Sequence, residues 1–216
     1  MKWLFDPASV QGVSMAGDWY VFVGAGILVG IYVYVAIFWC VFRYRRRRGE
    51  AQQFEKNTPL EWSYAIIPFL MVLGLFAKTF IVERPVDRVA ANPQLKVGVL
   101  AFRWSWQFKY LGSNVTLTGT PRQPPTLYLP IGRLAEFDLT TADVNHSFWV
   151  PAFLFKRDAI PGMTNVFDIT PNRLGTFEGR CAQYCGLDHA FMTFAIKVVP
   201  PQAFDRYIAS NGMQVP

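Results

Sequence analysis

The chain has 216 residues, of which 52% are hydrophobic and only 17% charged, and its mean hydropathy is +0.19. Globular averages are about 45–50% apolar and about 25% charged, so disordered, collagenous and coiled-coil chains are excluded. The net charge of +6 does not indicate nucleic acid, because five of the 21 basic residues form one run, Arg43, Arg45, Arg46, Arg47 and Arg48, and no basic stripe interleaved with aromatics occurs elsewhere.

Residues 19–42 carry no charge and lie between Asp18 and Arg43. At about 1.5 Å per residue, a helix of this length crosses a hydrocarbon core of about 30 Å. Residues 62–82 predict a second span, with Pro68 inside it and Lys78 one turn from its far end. Pro68 is expected to kink that helix and Lys78 to snorkel to the interface. Cys40, in the first span, is expected to be a buried packing thiol. The basic linker, residues 43–60, belongs in the cytoplasm by the positive-inside bias. Both termini and the region after Val82 are then expected on the outer face of a bacterial cell membrane, in contact with lipid. The first six residues hold no apolar stretch of signal-peptide length, so residues 1–18 are expected as a short outer tail ahead of a retained span.

No later run approaches membrane length, so residues 83–216 are expected to form one water-facing domain. Within residues 102–110, Phe102, Trp104, Trp106, Phe108 and Tyr110 alternate with Arg103, Ser105, Gln107 and Lys109. That period of two predicts a half-buried strand. Shorter strand-like runs follow at residues 126–129, 136–140, 148–150, 165–170 and 193–199, punctuated by prolines and glycines. Many short strands at this spacing predict an all-β sandwich or barrel. Phe204, Tyr207 and Ile208 are spaced for one short amphipathic helix.

The chemistry is concentrated in Cys181-Ala182-Gln183-Tyr184-Cys185-Gly186-Leu187-Asp188-His189-Ala190-Phe191-Met192, with the only other histidine at His146. Thiolate, thioether and imidazole together select copper or zinc over hard cations. One reading is a binuclear copper site, in which two thiolates bridge two ions, each histidine caps one, and Met192 and a backbone carbonyl between the cysteines fill weak positions. A Cys181–Cys185 disulfide leaves His146, His189 and Met192 unexplained. A structural zinc site of two Cys and two His has no use for Met192.

With these residues in view, the chain resembles cytochrome c oxidase subunit II, over the membrane hairpin, the aromatic strand and a cupredoxin-type Greek-key barrel. The resemblance rests on Trp104-Ser105-Trp106-Gln107-Phe108-Lys109-Tyr110, Asp143-Val144-Asn145-His146-Ser147-Phe148-Trp149-Val150-Pro151, Lys156-Arg157-Asp158-Ala159-Ile160-Pro161-Gly162 and the cysteine run. It implies a binuclear copper centre (CuA) held by His146, Cys181, Cys185, His189, Met192 and the carbonyl oxygen of Gln183. Trp104 matches the residue where electrons come in from a cytochrome c-type donor, beside the alternation's own reading of it as a core aromatic. Asp158 matches an acid at the interface with the catalytic subunit, although a turn role before Ala-Ile-Pro-Gly also suits it. Glu61 matches a glutamate at a proton entrance, while Thr58-Pro59-Leu60-Glu61 also has the form of a helix capping box.

The resemblance further implies subunit I and subunit III as partners, with haem only in partner subunits and oxygen reduced to water there, so this chain is not catalytic alone. The usual family has a magnesium-binding Glu where this chain has Gln183, as in the B-type oxidases, which calls the magnesium site into question. Tyr64 stands where the family has Trp, and residues 110–123 lack the acids that dock a basic cytochrome in many relatives. Two rivals share parts of the pattern: the copper subunit of a nitric oxide reductase, and a membrane-anchored copper carrier or assembly protein.

Overall fold

A computed structural model describes residues 6–45 and 56–213. Arg46, Arg47, Arg48, Glu50 and Glu55 of the basic linker lie outside the described residues, as do residues 1–5 and 214–216. The chain divides into two units, residues 17–83 and a second unit built from the N-terminal residues to Ala16 together with those from Arg84 onward.

The first unit consists of most of two helices, α1 (Val10–Arg43) and α2 (Thr58–Asp87), both long and apolar enough to cross a membrane. Their outer surfaces expose large apolar side chains such as Leu28, Ile31, Ile67 and Phe76, a surface that water does not solvate and lipid does. Pro68 lies inside α2 without ending it. Lys78 Nζ lies 2.6 Å from Asp18 Oδ1, the charge just before the uncharged stretch of α1, and Thr79 Oγ1 donates to Asp18 Oδ2 at 3.2 Å. A charge in apolar surroundings is stabilised by a close counter-charge. Cys40 is exposed on α1 and packs into no core, contrary to expectation. At the start of α2 the cap is shifted by one residue from the expected box. Asn57 Oδ1 accepts from Leu60 N–H at 3.3 Å, and Glu61 Oε1 accepts from Asn57 N–H at 3.4 Å.

The second unit is a sandwich of two five-stranded sheets. The strands are β1 (Leu95–Phe102), β2 (Ser105–Tyr110), β3 (Thr116–Thr118), β4 (Thr126–Pro130), β5 (Ala135–Thr141), β6 (His146–Val150), β7 (Phe155–Ala159), β8 (Asn165–Ile169), β9 (Gly175–Cys181) and β10 (Thr193–Val199). One sheet has the order β3-β2-β1-β5-β8, the other β4-β10-β9-β6-β7. β1 runs parallel to β5 and β10 parallel to β4, so strands distant in sequence are neighbours in both sheets. α3 (Pro201–Ala209) closes one end by burying Phe204 and Tyr207.

Aromatic side chains fill the space between the sheets. Phe148 of β6 lies 5.8 Å from Phe137 of β5 and 4.8 Å from Phe194 of β10, and Trp106 of β2 lies 5.1 Å from Phe194. Burying each such ring stabilises the fold by about 1.5–3 kcal/mol, before edge-to-face contacts add more. Gly179 must be glycine here, since an added Cβ would stand 2.2 Å from the Phe194 ring.

The aromatic stretch differs from the expected single strand. Phe102 ends β1, the chain turns at Arg103 and Trp104, and β2 begins at Ser105, with Phe102 paired to Ser105. Trp106, Phe108 and Tyr110 are buried as the alternation predicts, whereas Trp104 is half-buried at the turn. A carboxylate remote in sequence fixes that turn: Asp143 Oδ2 accepts from Arg103 N–H at 2.8 Å and from Arg103 Nε at 3.2 Å. Asp158 sits within strand β7 opposite Ser147, not in a turn.

The segment before α1 is docked on the sandwich. Ala8 N–H donates to Ala152 O at 2.7 Å, Val10 N–H to Thr170 O at 3.0 Å, and Ser9 Oγ to Phe153 O at 3.0 Å. Ser9 also accepts from Gly12 N–H at 2.9 Å, which caps the first turn of α1. A Cβ at Gly12 would lie 2.4 Å from Phe153 O. Gly12→Val should therefore lift this segment from the sandwich, since overpacking costs about 1–3 kcal/mol. Hydrogen exchange on the full chain in detergent should show the Ala8 and Val10 amides exchanging about ten-fold faster or more, with the β5 amides unchanged.

Candidate metal centre

The centre is assembled by sheet register. β6 begins at His146, β9 ends at Cys181, and β10 begins directly after Met192. Phe148 pairs with Cys181 across β6 and β9, which brings His146 beside the end of β9. The intervening loop is closed at its base, where Cys181 N–H donates to Met192 O at 2.9 Å and Ala182 N–H to Ser147 O at 3.1 Å. Inside the loop, a short 3-10 turn at His189–Phe191 carries His189 back toward the cysteines.

The two sulfurs, Cys181 Sγ and Cys185 Sγ, lie 3.9 Å apart, and both cysteines are free thiols. A disulfide needs about 2.05 Å, so this arrangement does not match that reading. Cys181 Sγ is 3.8 Å from His146 Nδ1 and 3.2 Å from Gln183 O. Cys185 Sγ is 3.5 Å from His189 Nδ1 and 3.8 Å from Met192 Sδ. The donor atoms of His146, Cys181 and Cys185 all lie within 4.8 Å of one another. Thiolate–metal bonds are about 2.3 Å for an ion such as zinc, so an ion between sulfurs at this separation reaches both. Two sulfurs with an imidazole at each end and two weak donors suit a pair of soft ions better than a single closed tetrahedron.

A carboxylate orients His146. Asp143 Oδ1 accepts from His146 Nε2–H at 2.9 Å, which leaves the unprotonated Nδ1, with its lone pair, facing Cys181. A carboxylate on the far ring nitrogen fixes tautomer and ring angle and makes the ligand more basic. The same carboxylate group accepts from Val144 N–H at 2.7 Å and from Arg103. Burial acts to raise the Asp143 carboxyl, but the hydrogen bonds from His146 and Arg103 outweigh it and hold the group well below the usual carboxylate range. For His146, burial favours the neutral ring, yet Cys181 and Asp143 together move its pKa up.

The thiols are unequal. Burial pushes Cys181 up, but hydrogen bonding with His146 and with the backbone around Gln183 and Ser147 brings it below its ordinary value. Burial, and then the charge of Cys181, push Cys185 up to about 12. The charge of one thiolate thus opposes ionisation of the other, and a cation between them would remove that opposition.

Trp104 lies against this loop: its Nε1–H donates to Cys185 O at 3.2 Å. Gly186 has φ +119°, and a Cβ there would approach Trp104 Nε1 to 3.2 Å, so the indole rests on the Cys185–Gly186 backbone. Trp106, fully buried, donates to Met192 O at 3.4 Å. Two predicted residues stand apart from the cluster. Asp158 is on β7, next to the strand that carries His146, and its Oδ1 is buried without a partner. Glu61 belongs to the helical unit, where its Oε1 accepts from Asn57 N–H. Asp143 and Gly186 carry no metal-donor signal of their own in the sequence, and Trp106 reads there only as a core aromatic. The signal for Asp143 was its place three residues before His146 inside a motif already singled out.

Comparisons with known proteins agree with this geometry. The family profile described as "Cytochrome C oxidase subunit II, periplasmic domain" matches residues 123–199. A protein of Streptomyces coelicolor named "Probable cytochrome c oxidase subunit 2" is 34% identical, over 89% of this chain and 72% of its own length. A Mycobacterium tuberculosis protein named "Cytochrome c oxidase subunit 2" is 31% identical, over 85% of this chain and 68% of its own length. Among solved structures, the periplasmic domain of subunit II of cytochrome oxidase from Bradyrhizobium japonicum superposes with a TM-score of 0.52 and 27% identity, covering 59% of this chain and all of that one. With a paired-thiol site on a sandwich of this kind, preceded by two helices of membrane length, the chain belongs to the cytochrome c oxidase subunit II family, and so to an oxidoreductase complex.

Proposed function

We propose that this chain receives electrons from a cytochrome c-type donor and delivers them to haem in subunit I of a haem-copper oxidase, where oxygen is reduced to water. The observation that carries the reading is the pair of free thiols 3.9 Å apart with an imidazole against each. The residues that would hold two coppers are His146, Cys181, Cys185, His189, Met192 and Gln183 through its carbonyl oxygen. Bound there, such a pair supplies one-electron transfer with little change of geometry.

The chain's own residues set the conditions for that transfer. Asp143 holds His146 in one orientation, and the closed loop base keeps the sulfurs where the sheet register puts them. Trp104 contacts the backbone of a thiol donor directly, which supports it as the place where electrons come in. Gln183 offers no carboxylate for a magnesium ion. The buried, unpartnered Oδ1 of Asp158 supports an interface with subunit I, and subunit III is a further partner on this reading. Glu61, exposed at the start of α2, keeps its carboxylate accessible for proton entrance while it caps Asn57 weakly. The basic linker faces the cytoplasm of a bacterial cell, and the metal domain with both termini faces outward.

Three tests follow from the site and its placement. The full chain loaded with copper should hold two ions and show hyperfine structure shared over both nuclei, seven lines where one copper gives four. Cys185→Ser should lose that pattern, because a hydroxyl does not bridge as a thiolate does. A single copper in the unsubstituted chain would reject the binuclear assignment.

A reporter inserted after Arg48 should behave as cytoplasmic and one fused after Pro216 as external; the reverse pattern would overturn the proposed orientation.

Trp104→Phe in the assembled complex should slow reduction by the donor many-fold and leave the copper spectrum nearly unchanged, the lost hydrogen bond to Cys185 O being its one effect on the metal loop. With no acids in residues 110–123, that rate should depend only weakly on salt. Stopped-flow reduction of both proteins across a salt series measures both effects.

A further inference from the structure

Where α2 ends, the chain passes Arg84, Pro85 and Arg88 and encloses a cavity of about 850 Å³ within the sandwich unit. Val89, Ala91 and Leu134 make much of its wall apolar, and Asp168 of β8 also lines it. Asp168 is only 3% exposed. Its Oδ2 accepts from Ala90 N–H at 2.7 Å, but its Oδ1 is buried with no partner. The cross-strand neighbour Glu136 is engaged elsewhere, with Lys96 Nζ at 2.7 Å. A buried carboxylate oxygen without a donor is unfavourable in an isolated fold and favourable once a ligand supplies an N–H. Nothing in the electron-transfer reading uses this residue or this cavity.

We propose that the cavity binds the headgroup of phosphatidylethanolamine from the leaflet in which α2 ends, with the phosphate at Arg88 and the ammonium donating to Asp168 Oδ1. Three features favour this ligand. The cavity opens directly after a helix of membrane length, where headgroups lie. Guanidinium groups match phosphate oxygens in geometry and charge. The apolar wall suits the glycerol and first acyl carbons, which inorganic phosphate lacks. Phosphatidylcholine carries the same phosphate, but its trimethylammonium has no N–H to give Asp168. The proposal rests on α2 being a membrane span and is independent of the metal centre.

Native mass spectrometry of the delipidated full chain in detergent tests it, with phosphatidylethanolamine, phosphatidylcholine and inorganic phosphate added separately. Phosphatidylethanolamine should bind at one per chain, about ten-fold tighter than phosphatidylcholine. Arg88→Gln, at an exposed position, should weaken both lipids. Asp168→Asn keeps an acceptor for Ala90 N–H, so the fold should survive, but it should abolish the preference between the two lipids. Unchanged melting of both variants shows that the loss is local. Equal binding of the two lipids by the unsubstituted chain, or an unchanged preference in Asp168→Asn, would overturn the assignment. Displacement of the lipid by millimolar inorganic phosphate would assign the site to free phosphate and overturn the lipid. Because the reporter fusions locate α2 independently, a failed lipid preference in a chain with the expected topology counts against the cavity alone.

Discussion

Two thiols held 3.9 Å apart, neither bonded nor free to separate, are the constraint around which this domain is organised. Ionising both places like charges side by side, and at Cys185 the charge of Cys181 adds to burial in pushing the thiol up. The sulfurs stay in place because backbone pairing, not side-chain attraction, sets their positions. Cys181 is the last residue of β9, its N–H is tied to Met192 O, and the chain returns at once into β10. Beneath the loop, Trp106, Phe148 and Phe194 pack against one another with little room to move. A close-packed aromatic core resists the small shifts that would change the spacing of donors above it.

The second organising element is the Asp143 carboxylate. It joins three pieces of chain: the Arg103 turn that presents Trp104, its own loop through Val144, and the ring of His146. The residue read as the electron entrance and a residue read as a metal donor are thus oriented by one group. Removing that group would leave a buried imidazole and a turn amide without their acceptor, which is costlier than losing one surface hydrogen bond. Coupling of this kind makes the geometry of the site a property of the network, so no single ligand specifies it.

In the helical unit the same physics joins two charges at the ends of the apolar stretches. Asp18, nearly buried, is paired with Lys78, and Thr79 donates to its second carboxylate oxygen. Where the apolar stretch of α2 gives way to Arg84 and Arg88, the polar groups of the sandwich begin, and the unpaired oxygen of Asp168 lies there.

Much of this was legible in the sequence because local patterns carry it. Two apolar stretches long enough for a membrane, one uncharged and one carrying only Lys78, need no tertiary context, and neither does a run in which two Cys, a His and a Met fall within twelve residues. The alternation of Trp106, Phe108 and Tyr110 also reads correctly, since a strand's period of two depends only on the backbone. What failed depended on partners far along the chain. The strand expected through Phe102 and Trp104 is broken into a hairpin by Asp143, 40 residues away from Arg103. Asp158 becomes a strand residue through its cross-strand pairing with Ser147. The sequence by itself determined which donor atoms the protein possesses and that its helices suit lipid. Only the tertiary structure decided that His146 meets Cys181, and that Trp104 rests on Cys185, because register between strands is set by nonlocal burial and hydrogen bonding that no local pattern encodes.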